Sequence, residues 1–154
     1  MHRPSLGAVS EPVETLFPTL RQTVLDGADP RSLAEFYRQL LGLRYRPGDE
    51  SPVDGQADEW LVLVDAAGSP RLAFQLVEEL PRPTWPDGPR PQMLHVDTTV
   101  PSLEDLQVQH RRAIALGAEL LFDRSEDPNE PLFVYADPAG HPFCIFVADP
   151  IVPG

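Results

Sequence analysis

Along the chain, apolar residues switch between two rhythms, every second position and every third or fourth, and the order of the switches occurs twice. Leu33, Phe36, Tyr37, Leu40 and Leu41 follow the i, i+3, i+4, i+7, i+8 rule, which gives a helix one apolar face. Asp29-Pro30 supplies an N-cap and a proline at the first helical position, and Gly42 suits the C-terminal end. A short β-type run, LRQTVLDG, precedes this helix, and LRYRP, EWLVLV and PRLAFQLV follow it as predicted strands. The second half repeats the order. QMLHVDTTV reads as a strand, and Ser102 with Asp105 three residues later as a near capping box. A helix then runs to about Leu116, followed by AELLF, LFVYA and PFCIFVA as strands.

The punctuation of the halves matches as well. Asp65-Ala66-Ala67-Gly68 and Asp137-Pro138-Ala139-Gly140 lie 72 residues apart (137 − 65). Arg31-Ser32-Leu33 and Pro101-Ser102-Leu103 lie 70 apart (101 − 31), and Leu41-Gly42 and Leu116-Gly117 lie 75 apart (116 − 41). Each half has one helix, placed after its first strand, and the later strands follow in short steps. That order predicts an α+β fold of two tandem βαβββ modules with antiparallel or mixed sheets. The boundaries read from the pattern are an N-terminal arm over 1–18, a first module over 19–80, a proline-rich linker over 81–91 and a second module over 92–150. Together the modules make one domain over 19–150.

The two-residue period of a strand sorts side chains between a helix-covered face and an open one. In QMLHVDTTV, Leu94 and Val96 fit the helix side, which leaves His95, Asp97 and Thr99 opposite. In the first strand Thr23 and Leu25 take the helix side and Gln22, Val24 and Asp26 the open one. Leu72, Phe74 and Leu76 likewise leave Arg71, Ala73, Gln75, Val77 and Glu79, and Phe143, Ile145 and Val147 leave Cys144 and Phe146. The open face is polar for an interior surface, yet it carries Val77 and Phe146, with Trp60 as a further large apolar residue. It reads either as the lining of a cavity or as the wet side of an antiparallel sheet.

Composition narrows the classes. The chain has 154 residues, 42% of them hydrophobic, which suffices for one domain with a real core. Its formal charge of −12 repels phosphate backbones and anionic membranes, so neither nucleic acid nor a membrane is an expected partner. A lone cysteine excludes an internal disulfide. The first residues lack an apolar core of signal-peptide length and no later run is long enough to span a bilayer, so a soluble, cytoplasmic protein is expected.

The doubled βαβββ order, with DPRSLAEFYRQLLGL, PRLAFQLVEE, TWPDGPRPQMLHVD and DPAGHPFCIFV, resembles the glyoxalase-like branch of the vicinal oxygen chelate superfamily. That superfamily includes glyoxalase I, extradiol dioxygenases and bleomycin- and fosfomycin-resistance proteins. The resemblance covers about residues 20–149. It implies two modules curled into an open cup-like mixed sheet with helices outside, a ligand in the cup and a homodimer. It implies, too, that metal-using relatives hold their ion at positions that become Gln22, Gln75, His95 and Cys144 here. Where such enzymes keep final-strand carboxylates, this chain has Gln75 and Cys144. Two amides and a neutral imidazole leave a dication uncompensated, so no metal or other cofactor is expected, the divalent-ion reading requiring a Cys144 thiolate.

The leading expectation is therefore a protein that binds a small organic molecule without a metal, its ligand-binding residues being Gln22, Asp26, Trp60, Gln75, His95, Asp97, Cys144 and Phe146. His95 and Asp97 are the candidate catalytic pair, because an imidazole beside a carboxylate can transfer protons near neutral pH. Two rivals stand beside it. One is a metal-dependent lyase, isomerase or dioxygenase of the same superfamily, and the other a non-catalytic dimerising module. Cys144 reads as apolar wall, with a Cys144/His95 nucleophilic pair as its alternative. His110 falls on the apolar side of the second helix and reads as a core histidine, and His141 as a turn or rim residue. Trp85 reads either as a cap on the cup or as an anchor of the linker, and Arg71 as a rim charge.

Overall fold

Capping chemistry and strand register set the architecture of the computed structural model, which describes residues 17–148. The chain runs β1 (Thr23–Gly27), α1 (Pro30–Leu41), β2 (Arg44–Tyr45), β3 (Trp60–Val64), β4 (Pro70–Leu76), β5 (Val96–Val100), α2 (Leu103–Leu116), β6 (Glu119–Arg124), β7 (Leu132–Ala136) and β8 (Pro142–Val147). The arm expected over 1–18 lies outside the described residues, apart from Phe17 and Pro18, as do residues 149 and 150 of the second module.

The Asp29 side chain accepts from the Ser32 N–H at 3.2 Å and Pro30 opens α1, as the sequence predicts. The helix ends where Gly42 turns left-handed at φ 70°, a conformation that costs a side-chain-bearing residue energy. At α2 the Ser102 hydroxyl accepts from the Asp105 N–H at 3.1 Å and donates to its carboxylate at 2.9 Å.

Each module folds into its own four-stranded sheet, in the orders β1-β4-β3-β2 and β5-β8-β7-β6. The first strand of each pairs in parallel with the last, and the remaining pairs are antiparallel. The two sheets share a core. Leu25, Leu33, Phe36, Tyr37, Leu72 and Phe74 of the first half form one buried cluster with Leu106, Phe133, Tyr135, Phe143 and Ile145 of the second. Tyr37 has its ring centroid 6.0 Å from Phe74 on β4 and 6.1 Å from Phe143 on β8, so α1 ties both sheets together. Burial of each such side chain stabilises the fold by ~1.5–3 kcal/mol. On the other face of the first sheet, Val62, Val64 and Ala73 bury themselves against Val24. The sorting of faces expected for β1, β4 and β8 is thus realised in Leu25, Leu72, Phe74, Phe143 and Ile145.

Three expectations shift. β5 begins at Val96 rather than 92, leaving Met93 and Leu94 88% and 38% exposed, so Leu94 does not join the helix side. The reason lies in the partner strand. Val96 is paired with Phe143, so further extension would meet Pro142, which has no N–H to give the ladder. Thr23 is exposed rather than packed on a helix. Finally, β4 is one residue longer than β8. Leu63 pairs with Leu72 and Val64 with Pro70, so Arg71 is extra, whereas Tyr135 and Ala136 pair with the consecutive Phe143 and Pro142. By register, Cys144 is therefore the counterpart of Ala73, and Phe146 that of Gln75.

Candidate functional site

The turns that open β4 and β8 are built alike. Asp65 Oδ1 accepts from the N–H groups of Ala67 and Ser69, and Asp137 Oδ1 from those of Ala139 and His141. Ser69 and His141 therefore hold the same place. Their surroundings differ: Asp65 is partly exposed, whereas the side chain of Asp137 is fully buried. Tyr37 donates its hydroxyl to Asp137 Oδ2 at 2.6 Å, from a helix in the other module. Burial first, and then the Asp137 charge, push the Tyr37 hydroxyl pKa well above its ordinary value, so it stays a donor. The His141 ring completes the set with Nδ1 at 2.9 and 3.1 Å from the two Asp137 oxygens. A carboxylate only accepts, so Nδ1 carries a proton, and in the neutral ring Nε2 is then the acceptor. Among the described residues nothing bonds to Nε2.

His141 lies in the wall of a cavity of about 400 Å³. Val24, Leu25 and Asp26 of β1 form one side, and Leu80, Pro83, Arg90, Met93 and Leu94 of the connection between the modules form another. The lining is mainly apolar and the volume is that of a small-ligand site. Its charged groups are Asp26 and Arg90. The Arg90 Nε donates to the Arg82 carbonyl at 2.7 Å, while its terminal nitrogens have no partner among the described residues.

Of the eight residues expected to hold a ligand, Asp26 alone lines this cavity. Trp60 lines a separate, acidic hollow of about 570 Å³ whose arginine, Arg31, is already committed to Asp58 at 2.9 and 3.0 Å. His95 and Asp97 do meet, with Nε2 3.2 Å from Oδ1, but both are about half-exposed. Cys144 faces the same carboxylate. Burial chiefly, then the Asp97 charge and hydrogen bond, push its thiol up to about 11, so it is a protonated wall residue. Phe146 is half-buried and paired with Leu132 in the sheet register. Gln75 is exposed and stands opposite Asp26, and Gln22 keeps a buried Oε1 without a partner among the described residues.

The four positions to which the resemblance assigns an ion do not fit one here. Thr23 pairs with Leu72, which sets Gln22 four residues, or ~13 Å, from Gln75 along the strands. Val96 pairs with Phe143, which sets His95 two residues, or ~7 Å, from Cys144. The thiol holds its proton and two of the donors are uncharged amides. Among the described residues no three His, Cys, Asp or Glu side chains gather as ligands.

Other residues find plainer places. His110 stacks on Phe133 at 4.1 Å and meets the Tyr135 hydroxyl with Nδ1 at 2.7 Å. Trp85 packs edge-on against Phe122 at 5.7 Å, anchoring the connection, and Arg71 is an exposed partner of Asp65. Sequence reasoning took His141 only as a turn or rim residue and did not single out Arg90. A signal existed for the first: comparing the repeated turns shows a titratable ring where the other half has serine.

The fold places the chain in a class of small α+β proteins built of paired modules. It belongs to the glyoxalase-like domain family, whose profile matches residues 22–146. A search of curated proteins finds no match. Among solved structures, the chain is similar to the genomically encoded fosfomycin resistance protein FosX from Listeria monocytogenes, with 14% identity over 90% of this chain and 97% of that one and a TM-score of 0.62. A second FosX structure from that organism, complexed with Mn(II) and sulfate, matches at 15% identity over 86% and 94% of the chains, TM-score 0.61. A glyoxalase/bleomycin resistance protein/dioxygenase family enzyme from Burkholderia phytofirmans PsJN matches at 19% over 84% and 98%, TM-score 0.61. These likenesses establish the two-module fold. No helix among the described residues is long and apolar enough to cross a membrane.

Proposed function

We propose that this glyoxalase-like protein binds a small, largely apolar organic molecule in the cavity between β1 and the inter-module connection, without a divalent metal. The carrying observation is the cavity itself: about 400 Å³, apolar along β1, Leu80 and Pro83, with polar groups converging from Asp26, Arg90 and His141. A module that served association alone would need no such hollow. A FosX neighbour holds Mn(II), but the donors at the corresponding positions of this chain are neutral, separated or protonated, which favours metal-free binding. The cytoplasmic location expected from the sequence and the homodimer implied by the resemblance belong to the same proposal.

The test uses 1-anilinonaphthalene-8-sulfonate, an anionic dye with an apolar aromatic body of suitable size. Saturable binding at one site per chain is expected, lost when the exposed rim residue Leu94 is enlarged (Leu94→Trp). Binding unchanged by that variant would overturn the location. Metal analysis after purification without chelator tests the second half, and a stoichiometric divalent ion lost in His95→Ala would overturn it.

A further inference from the structure

The turn that carries His141 does not need a histidine. Its counterpart forms the same bonds around Asp65 with Ser69 in the equivalent place. What the second turn adds is a fixed imidazole. The Asp137 carboxylate holds Nδ1, the Tyr37 hydroxyl and two backbone N–H groups hold Asp137, and His141 lines the cavity with Nε2 bonded to nothing among the described residues. The His141 side chain is only 14% exposed, so it is set in place rather than displayed to solvent. A carboxylate on Nδ1 fixes the tautomer and stabilises the imidazolium that forms when Nε2 accepts a proton. The charged groups around it are Asp137, Asp26 and Arg90 at the cavity, and Arg82, which donates to the Pro138 carbonyl in the same turn. Arg90 offers two terminal nitrogens, a fork that matches two oxygens on one edge of a ligand.

We infer that His141 is a general base acting on an apolar 2-oxo monocarboxylic acid held in this cavity, with Arg90 receiving the carboxylate and keto oxygens and Asp137 and Tyr37 as positioning residues. This rests on the cavity being the ligand site. The His141 Nε2 lone pair takes a proton from the carbon beside the keto group. The C–H electron pair becomes the carbon–carbon double bond of the enolate, and the carbonyl π pair moves onto oxygen beside Arg90. Return of the proton restores the keto acid, so the step needs no oxidant and no co-reactant. The apolar walls take the tail. Asp26 disfavours a second anionic group, so monocarboxylates are selected over dicarboxylates. With a net charge of −12, selection is a short-range contact rather than long-range steering.

Phenylpyruvate in heavy water is the probe, and loss of its methylene proton signal the readout. The full chain is expected to speed exchange about 100-fold or more over buffer, the usual reach of a positioned base. His141→Ser, a residue this turn accepts in the first module, is expected to return exchange to the buffer rate while phenylpyruvate still raises the melting temperature. Arg90→Ala is expected to raise the half-saturating concentration with less effect on the maximal rate. Nitrogen-15 correlation spectra are expected to show His141 protonated at Nδ1, a state that Asp137→Asn alters and a merely structural contact would not require. Phenylpyruvate that binds without faster exchange, full exchange in His141→Ser, or an Nε2-protonated ring would each overturn the proton-transfer role and leave the binding reading standing. Absence of any phenylpyruvate binding would overturn the ligand class, while the dye experiment judges the cavity independently.

Discussion

Replacing Tyr37 by phenylalanine removes a single oxygen from the contact that crosses between the modules. Tyr37 is fully buried and its hydroxyl lies 2.6 Å from Asp137 Oδ2. The ring keeps its place among Phe36, Phe74 and Phe143, so the apolar contribution is unchanged. Lost is one hydrogen bond to a charged acceptor, ~1.5–3 kcal/mol in ordinary circumstances. Asp137 retains the Ala139 and His141 N–H groups and the His141 ring, so its burial stays compensated. That argues for the middle of the range, ~2 kcal/mol. In a domain of this size each kcal/mol moves the midpoint by ~2–4 °C, so Tm should fall by ~4–8 °C. Thermal unfolding followed by circular dichroism measures it, with urea unfolding as a check that the slope is unchanged. The loss should be smaller in an Asp137→Asn background, where the acceptor is already weakened. A Tyr37→Phe Tm equal to wild type within ~1 °C would mean that the bond contributes nothing.

Two further outcomes follow from the geometry. With its thiol held near 11, Cys144 should react with iodoacetamide at pH 8 about 100-fold more slowly than a free cysteine, and Asp97→Asn should quicken it by removing a repelling charge; a wild-type rate equal to free cysteine contradicts this. Phe143 is fully buried, 4.9 Å from Tyr135 and 5.6 Å from Phe36. Phe143→Ala should lower unfolding free energy by ~3–5 kcal/mol in urea, and a loss below ~1 kcal/mol would contradict the shared-core description.

Elements were more legible than the site, for a physical reason. Periodicity and caps are local, so Leu33, Phe36, Tyr37 and Leu40 could be assigned to a buried helix face from spacing alone, and they are buried. Strand faces followed the same logic wherever the ladder was regular. They failed at Leu94, whose partner strand starts with a proline, and at Thr23, which is exposed at the start of β1. The cavity depends on contacts no spacing reveals. Tyr37 and Asp137 are 100 positions apart, and the connection over 81–91 forms a wall only because Pro83 and Arg90 come to face β1. Positions inferred by counting along the open faces, such as Asp97 and Gln75, could be placed on a strand but not at a common centre.

The additional residue at Arg71 breaks the twofold likeness of the halves. Two identical halves in step would give an enclosed molecule a pair of interchangeable poses, related by rotation. Here one half is phase-shifted, and serine stands in one duplicated corner where histidine stands in the other, so no rotation exchanges the two orientations.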